Sequence, residues 1–223
     1  MDESEYGRDE SKDRGDLLPH ERVVFFSDAV FAIAMTLLAI ELRLPGAELI
    51  ERIGADEAWN ETVSLFIAYV ISFIVTAVYW VGHMSTWKLI TRTTGKLVWC
   101  SVLQLMFVAM MPFATRLYSE AFMGHGPGRF AFYAFVLSGI SFFASLTRWV
   151  AIKQENLRER LGETEVRWQL VRGLIPLFVF ASCIPLAFVL PVWTGGFIFW
   201  SIYPLTMIAR RFFFRPAKTE PAA

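Results

Sequence analysis

Residues 22–44, RVVFFSDAVFAIAMTLLAIELRL, decide how the rest of the chain is interpreted. At 1.5 Å per residue, about twenty residues of this stretch are long enough to cross a bilayer. Ser27, Asp28 and Thr36 nevertheless lie inside its apolar run. An ionisable group there costs roughly 2.5–3.5 kcal/mol on insertion scales unless it faces protein or water. A helix that served only as an anchor would not need Asp28, so this helix is predicted to carry the function.

The composition indicates a polytopic helical membrane protein. Hydrophobic residues make up 55% of the 223 residues, and the mean hydropathy is +0.45. Soluble domains are about 45–50% apolar and alternate apolar with polar residues, whereas here the apolar residues gather in long blocks. The formal net charge of zero argues against a nucleic-acid partner. Cys100 and Cys183 both lie inside apolar blocks, which argues against a disulfide framework or a cysteine metal site.

Six apolar blocks, each near the roughly 17–25 residues that a span needs, predict an all-α fold with six transmembrane helices. The blocks are 23–43, 62–86, 96–117, 129–151, 168–190 and 192–213. Together they form one predicted transmembrane domain over residues 22–213. A charged, disordered cytosolic tail is predicted at 1–21, without the apolar core of a signal peptide, and a second tail at 214–223.

Positive charges alternate between the connections, as six spans require. Of the 21 Lys and Arg residues, the connections on one side hold only Arg43, Arg52, Arg116 and Arg129. The others lie in the two tails and around the connections after the second and fourth blocks, to which Arg148 is assigned together with Arg172 just inside the next block. The positive-inside rule therefore predicts that both termini are cytoplasmic.

Two connections carry charge patterns of their own. Residues 45–61 on the outer side are acidic and are either a solvated linker or a negative vestibule that concentrates cations. Residues 153–167 on the inner side form a predicted helical connector whose basic side chains face anionic lipid headgroups.

A helical wheel at 100° per residue divides the first helix into two faces. Ser27 and Asp28 lie about 120° and 140° from Ile33, on opposite sides, and need hydrogen-bonding neighbours inside the protein. One stripe instead contains Arg22, Phe26, Ile33, Thr36, Leu37 and Ile40. Lipid, a neighbouring helix or a pore axis would each suit this stripe, and the wheel alone does not decide among them.

Trp80 and His83 lie three residues apart near the end of the second block and so share a helical face. A buried indole N–H and imidazole both need partners. Ser27 and Asp28 lie at a similar depth in an antiparallel helix pair, so they are the predicted partners. The residues leave three roles open: a structural histidine, a polar knot that fixes the first helix against the second, or a proton-responsive His83.

The prolines are unevenly distributed. Pro112 predicts a kink near the end of the third block, with Thr115 or a neighbour bonding the freed carbonyl. The other intramembrane prolines, Pro176, Pro185 and Pro204, have no counterparts in the first two blocks. Inverted-repeat transporters tend to carry broken helices in both halves, so this asymmetry weakens a transporter interpretation.

The chain lacks the motifs of soluble-type catalysis. It contains no G-x-S-x-G, no H-E-x-x-H and no Gly-rich phosphate loop, and it has no TVGYG filter. The sequence therefore predicts no enzyme and no cofactor. A proton-coupled transporter or proton pathway with Asp28 and His83 as relay is an alternative, and a membrane enzyme or scaffold is a weaker one.

The motif R-x-x-x-F-S-D at Arg22, Phe26, Ser27 and Asp28, followed by AVFAIAMTLLAIEL, resembles the signature of the transmembrane protein 175 family of potassium channels, specifically its prokaryotic six-span members. The sequences W-x-x-H at 80–83 and P-F-x-T at 112–115 are similar to that family too. Ala29 stands where the family usually has glycine.

This resemblance implies a homotetramer in a prokaryotic plasma membrane that conducts K⁺ through a pore lined by four first helices. It implies that Ile33, Leu37 and Ile40 form an apolar constriction and that Thr36 forms a hydroxyl layer beside them. A structural polar network would then include Arg22, Phe26, Ser27, Asp28, Trp80 and His83. Under this resemblance the Ile33 stripe is predicted to line the pore.

Overall fold

The fold is a bundle of helices, seen in a computed structural model that describes residues 20–122, 126–155, 159, 161–189 and 194–213. All regular secondary structure in these residues is helical. The helices are α1 (His20–Ile40), α2 (Ala47–Ile53), α3 (Ala55–Trp87), α4 (Gly95–Ala109), α5 (Met111–Phe122), α6 (Pro127–Gln154), α7 (Glu163–Leu186) and α8 (Thr194–Phe213). The predicted tails, apart from residues 20 and 21, lie outside the described residues.

Each predicted apolar block contains a helix, and the chain is a multi-pass membrane protein. Helices α1, α3, α6 and α7 are each long and apolar enough to cross a membrane, and α4 with α5 adds a fifth span if the bent pair counts as one. Helix α8 covers most of the sixth block. The all-helical membrane fold is thus confirmed with four or five candidate spans, and the sixth span stays a prediction.

Helix α6 lies at the centre of the bundle. It packs against α3, α4, α5 and α7, while α8 packs against α7. Its buried residues include Tyr133, Leu137 and Ile140, which join the main apolar cluster. Two of its polar side chains tie it to α3: the hydroxyls of Ser72 and Tyr133 lie 2.9 Å apart, and Tyr79 bonds Ser141. The site helix α1 packs on α3, α4 and α5 at the side of this core.

Small residues allow the central helices to approach closely. A Cβ atom at Gly139 of α6 would lie 2.4 Å from the ring of Phe107 on α4. That ring also stacks on Phe143 with 5.9 Å between centroids and meets Phe135 edge-on at 5.7 Å. Close backbone approach at small residues is a principal source of helix association in membranes. Gly139 therefore provides the space that the Phe107 ring occupies.

Three local expectations can be compared with the structure. In the acidic segment 45–61, α2 and the first turns of α3 occupy most of the residues. The kink near Pro112 is present as a 40° bend between α4 and α5. The Thr115 hydroxyl donates to the Met111 carbonyl at 2.8 Å, and the Val108 carbonyl, for which Pro112 has no N–H, accepts a backbone N–H at the end of α4.

Arg148 is misplaced in the sequence-based assignment to a connection. It lies inside α6, nearly two turns before that helix ends at Gln154, and most of its side chain is covered. The apolar block and the helix continue past this charge, because the guanidinium finds hydrogen-bond acceptors on neighbouring helices. The predicted connector 153–167 lies partly outside the described residues.

Substituting Gly139 by Ala is expected to destabilise the bundle. The added methyl group would displace the Phe107 ring from its aromatic neighbours, and overpacking of this kind costs about 1–3 kcal/mol. Thermal unfolding of the purified protein in detergent measures the effect as a lower midpoint. Gly128→Ala is the matched control on the same helix, since nothing lies within 4 Å of a Cβ there. Equal midpoints for the two variants would contradict the close-packing account.

Candidate pore helix and its polar contacts

Helix α1 is held to the bundle by one face. Its buried side chains are Ser27, Phe31, Ala34 and Leu38. Their spacing of four, three and four residues places them on a single side of the helix. Phe31 and Ala34 belong to the main apolar cluster, together with residues of α5 and α6. This face fixes the rotation of α1 about its own axis.

The opposite face of α1 is an apolar stripe whose side chains stay largely exposed in the described part of the subunit. Ile33 is 57% exposed, Leu37 40% and Ile40 66%, and Phe26 continues the stripe at 56%. These are the residues that the wheel assigns to one face. The structure therefore separates them from the polar pair, as the sequence predicts.

Thr36 is exposed on the edge of this stripe. Its hydroxyl donates a 2.8 Å hydrogen bond to the Ile33 carbonyl one turn earlier. Because the hydroxyl proton is used inside the helix, the lone pairs of the oxygen face away from the helix backbone. Thr36 therefore presents an acceptor to whatever occupies the space beside α1.

Asp28 is bound by the indole of Trp80. The Trp80 Nε1–H donates to Asp28 Oδ1 at 2.8 Å and links α1 to α3. A hydrogen bond to an ionised acceptor is stronger than one between neutral groups, and it holds the partners in one geometry. The predicted contact between the first two long helices is therefore present at Asp28 and Trp80.

Ser27 and His83 find different partners, both on α4. The Ser27 hydroxyl donates to the Val23 carbonyl at 2.9 Å and lies 3.4 Å from the hydroxyl of Ser101. His83 Nδ1 lies 3.2 Å from Gln104 Oε1. The expected pairing of His83 with Ser27 or Asp28 is thus wrong in its partner, because α4 lies closer to the imidazole ring edge than the polar pair of α1 does.

Aromatic rings surround His83 on the α1 side. The rings of Phe31 and Trp87 lie 5.5 Å and 5.8 Å from it, centroid to centroid. His20, in the first turn of α1, packs against Trp87 in turn at 5.4 Å and bonds Thr93. These contacts fix the start of α1 against the end of α3.

Arg22 and Phe26 do not join the polar contacts. Both are exposed, and among the described residues the Arg22 guanidinium has no hydrogen-bond or ion-pair partner. They extend the stripe of Ile33 toward the start of the helix. Arg22 and Phe26 therefore make no contact with the predicted polar network in the described part of the subunit.

Ser101 and Gln104 are the two contact residues that the sequence interpretation missed. Both are buried, and they lie three residues apart on one face of α4. The sequence does contain a sign of this contact, since Gln104 is an amide inside the third apolar block. A buried amide in a membrane helix needs a partner, so Gln104 indicates a helix contact just as Asp28 does.

Comparison of the chain with known families finds a likeness in this helix and its neighbours. The family described as "Endosomal/lysosomal potassium channel TMEM175" matches residues 22–112, which run from α1 into the start of α5. This segment is similar to the TMEM175 family. The segment contains the Asp28–Trp80 and His83–Gln104 contacts.

Curated relatives match about half of the chain. A potassium channel of Chamaesiphon minutus is 35% identical over 53% of this chain and 57% of its own length. One of Streptomyces collinus is 37% identical over 44% of this chain and 47% of its own. The endosomal/lysosomal proton channel TMEM175 of Gallus gallus is 31% identical over 46% and 22%. The chain thus spans about half the length of the two bacterial potassium channels.

The fold extends the likeness beyond the family segment. The crystal structure of a lysosomal potassium-selective channel TMEM175 homolog from Chamaesiphon minutus superposes with a TM-score of 0.69 at 25% identity. The superposition covers 85% of this chain and 95% of the other. The later helices therefore share the fold of that channel homolog.

Replacing Trp80 by Phe is expected to destabilise the protein. The ring volume is largely kept, but Asp28 loses its indole donor, and a hydrogen bond to a charged group contributes about 1.5–3 kcal/mol. Unfolding in mixed micelles measures the difference in free energy. Combining Trp80→Phe with Asp28→Asn in a double-mutant cycle then gives the coupling between the two side chains.

Trp99→Phe is the control for this substitution. Trp99 lies on α4 and is 68% exposed, so its variant is expected to stay within about 0.5 kcal/mol of the wild type. A Trp80→Phe protein as stable as Trp99→Phe would show that the Asp28 contact does not hold α1 to α3.

Proposed function

We propose that this protein is the subunit of a homotetrameric, potassium-selective leak channel in a prokaryotic plasma membrane. Each subunit crosses the membrane six times, with both termini in the cytoplasm. The four α1 helices line one pore, and K⁺ passes down its gradient without a coupled ion. The observation that carries the proposal is the exposed stripe on α1, within the segment that matches the TMEM175 family.

The orientation of α1 supports a pore-lining role. Asp28, an ionisable residue within the apolar part of α1, is turned into the subunit and accepts a hydrogen bond from Trp80. What remains outward is the stripe of Ile33, Leu37 and Ile40 with the Thr36 oxygen at its edge. Four such stripes around an axis make stacked rings of branched apolar side chains.

An apolar ring discriminates ions through hydration. It gates by dewetting and makes a passing ion shed part of its water shell. Na⁺ holds water more tightly than K⁺, so the larger dehydration cost falls on Na⁺. The four Thr36 oxygens replace part of the lost hydration. Selectivity of this origin is more modest than that of a filter built from carbonyl rings.

A proton pathway is the second candidate, and one observation favours it. His83 is 5% exposed, and its Nε2 has no hydrogen-bond partner among the described residues. It lies one turn from Trp80, which binds Asp28, and it lines a cavity inside the subunit. Flux into liposomes with K⁺, Na⁺ or H⁺ as the only permeant ion separates the two candidates.

Ile33→Asn is expected to reduce discrimination between K⁺ and Na⁺. The amide wets the constriction and lowers the dehydration cost that distinguishes the ions. With K⁺ on one side of the membrane and Na⁺ on the other, the reversal potential of the reconstituted variant should move toward zero. An unchanged reversal potential would remove Ile33 from the selectivity filter.

Ile74→Asn is the control for the constriction. Ile74 on α3 is 56% exposed, against 57% for Ile33, so the same substitution is made at an equally open apolar site. Its reversal potential should equal that of the wild type. A similar shift in both variants would mean that the polar side chain disturbs the bundle and not a filter.

Cysteine cross-linking tests the shared axis. In a variant with Cys100 and Cys183 replaced by Ala, Ile40→Cys should form disulfide-linked dimers on mild oxidation in membranes, because four copies of α1 meet there. Native mass spectrometry of the uncross-linked protein should give four times the 25.5 kDa chain mass.

Phe178→Cys on α7 is the matched control, since Phe178 is 68% exposed and Ile40 66%. It should remain monomeric under the same oxidation. Efficient dimers at Phe178 and none at Ile40 would place the subunit interface on α7 and contradict a pore lined by α1.

A further inference from the structure

A partly open cavity lies between helices of the subunit, away from the stripe on α1. Its volume is about 90 Å³, and residues of α3, α4, α6 and α7 line it. By the same measure a water needs roughly 10–15 Å³, so the space holds several waters or a five-atom oxyanion. Its polar lining includes Tyr79, His83, Gln104, Ser141, Arg148 and Arg172. The proposed conduction function uses none of this space.

Two arginines line the cavity, and the charge between them is not balanced by the protein. No Asp or Glu is among the lining residues. In the part of the chain that the structure describes, neither the Arg148 nor the Arg172 guanidinium forms an ion pair. Arg148 is half-buried and Arg172 is exposed. With two guanidinium groups and no carboxylate in its lining, the cavity carries a positive charge that favours an anionic ligand.

Arg148 is positioned from both sides. Its Nη2 donates to the Thr86 hydroxyl on α3 at 3.3 Å, and its Nη1 lies 3.5 Å from the Gln169 carbonyl on α7. A Cβ atom at Gly173 would lie 2.5 Å from that Nη1. Because Gly173 has no side chain, the Arg148 guanidinium can reach α7. The Ser145 hydroxyl also links α6 to α7 by donating to the Gly173 carbonyl at 2.9 Å.

Further polar atoms at the cavity lack partners. Gln104 Nε2 and His83 Nε2 are buried and make no hydrogen bond within the described residues. The amide is a donor and adds to the free N–H groups of the two guanidinium ions. The imidazole adds none, because its Nδ1–H donates to Gln104 Oε1 and Nε2 of the neutral ring is then an acceptor. Buried polar atoms in native structures almost always have partners, so this set suits an acceptor-rich ligand.

We propose that this cavity binds a phosphate-type oxyanion, held by Arg148 and Arg172 and capped by the Gln104 amide. Guanidinium groups match such oxygens in geometry and charge. The ligand is a phosphate group, supplied either by the headgroup of an anionic lipid or as free phosphate. The proposal does not rest on the pore assignment of α1.

The depth of the arginines suits both sources. Arg148 lies six residues before the end of α6, and Arg172 nine residues after the start of α7. At 1.5 Å per residue these positions are about 9 Å and about 14 Å from the ends of their helices. Both ends belong to the connection between α6 and α7, which the positive-inside rule assigns to the leaflet rich in anionic lipids.

Thermal unfolding of the full-length protein in nanodiscs tests the proposal in two arms. One arm uses phosphatidylcholine discs with added sodium phosphate, with sodium chloride at equal ionic strength as reference. The other replaces part of the phosphatidylcholine by phosphatidylglycerol. Stabilisation by phosphate in the first arm identifies free oxyanion as the source, and stabilisation in the second arm alone identifies the lipid. No stabilisation in either arm overturns the proposal.

Arg172→Gln is the decisive variant, because Arg172 makes no hydrogen bond within the described residues and its removal leaves the packing intact. The phosphate concentration, or phosphatidylglycerol fraction, at half-maximal stabilisation should rise at least tenfold. Arg148→Lys keeps the charge and should retain part of the effect, whereas Arg148→Gln should abolish it if the protein folds.

Arg167→Gln is the control on the same helix. Arg167 is exposed and pairs with Glu163 at 2.7 Å, outside the cavity. Its variant should respond to phosphate and phosphatidylglycerol as the wild type does. An equal loss of response in Arg167→Gln and Arg172→Gln would mean that general surface charge attracts the anion, and it would overturn the cavity as the binding site.

Discussion

The hydrogen bond between Asp28 and Trp80 is the interaction on which the arrangement of this protein depends. Hydrocarbon offers a carboxylate no partner, so Asp28 has to face protein, and the indole of α3 is where it does so. Because α1 is a rigid helix, fixing Asp28 and Ser27 inward also fixes the direction of every other side chain. Ile33, Leu37 and Ile40 are consequently turned outward. A polar residue that is turned into the subunit thus determines which side chains of α1 face outward.

The centre of the bundle follows a different rule. Lipid chains are as apolar as the side chains they would replace, so burial of apolar surface alone does not drive these helices together. Contact instead arises where backbones come close, at Gly139 against Phe107 and at Gly173 against Arg148. Short hydroxyl contacts such as Ser72 with Tyr133 supplement this packing. Helix α6 takes part in all three and so organises the subunit.

Much of this architecture can be read from the sequence, because length and hydropathy are local properties. The apolar blocks, the bend near Pro112 and the two faces of α1 all follow from residue spacing. The partner of His83 does not, since helix pairs are set by tertiary packing that one helix cannot reveal. Gln104 of α4 occupies the place expected for α1. The assignment of Arg148 to a connection was wrong for a related reason. A charged residue near the end of an apolar block resembles a loop residue unless its acceptors on α3 and α7 are known.

Helix α1 is attached along one side only, and its outward stripe has no role in the packing of a single subunit. A substitution at Phe31 would disturb the core, whereas Ile33, which is 57% exposed, takes no part in the buried apolar clusters. The residues that hold the fold and the residues that face outward are therefore under separate constraints. Mutation can explore new chemistries on that surface while the subunit goes on folding as before, which makes this face of the molecule readily evolvable.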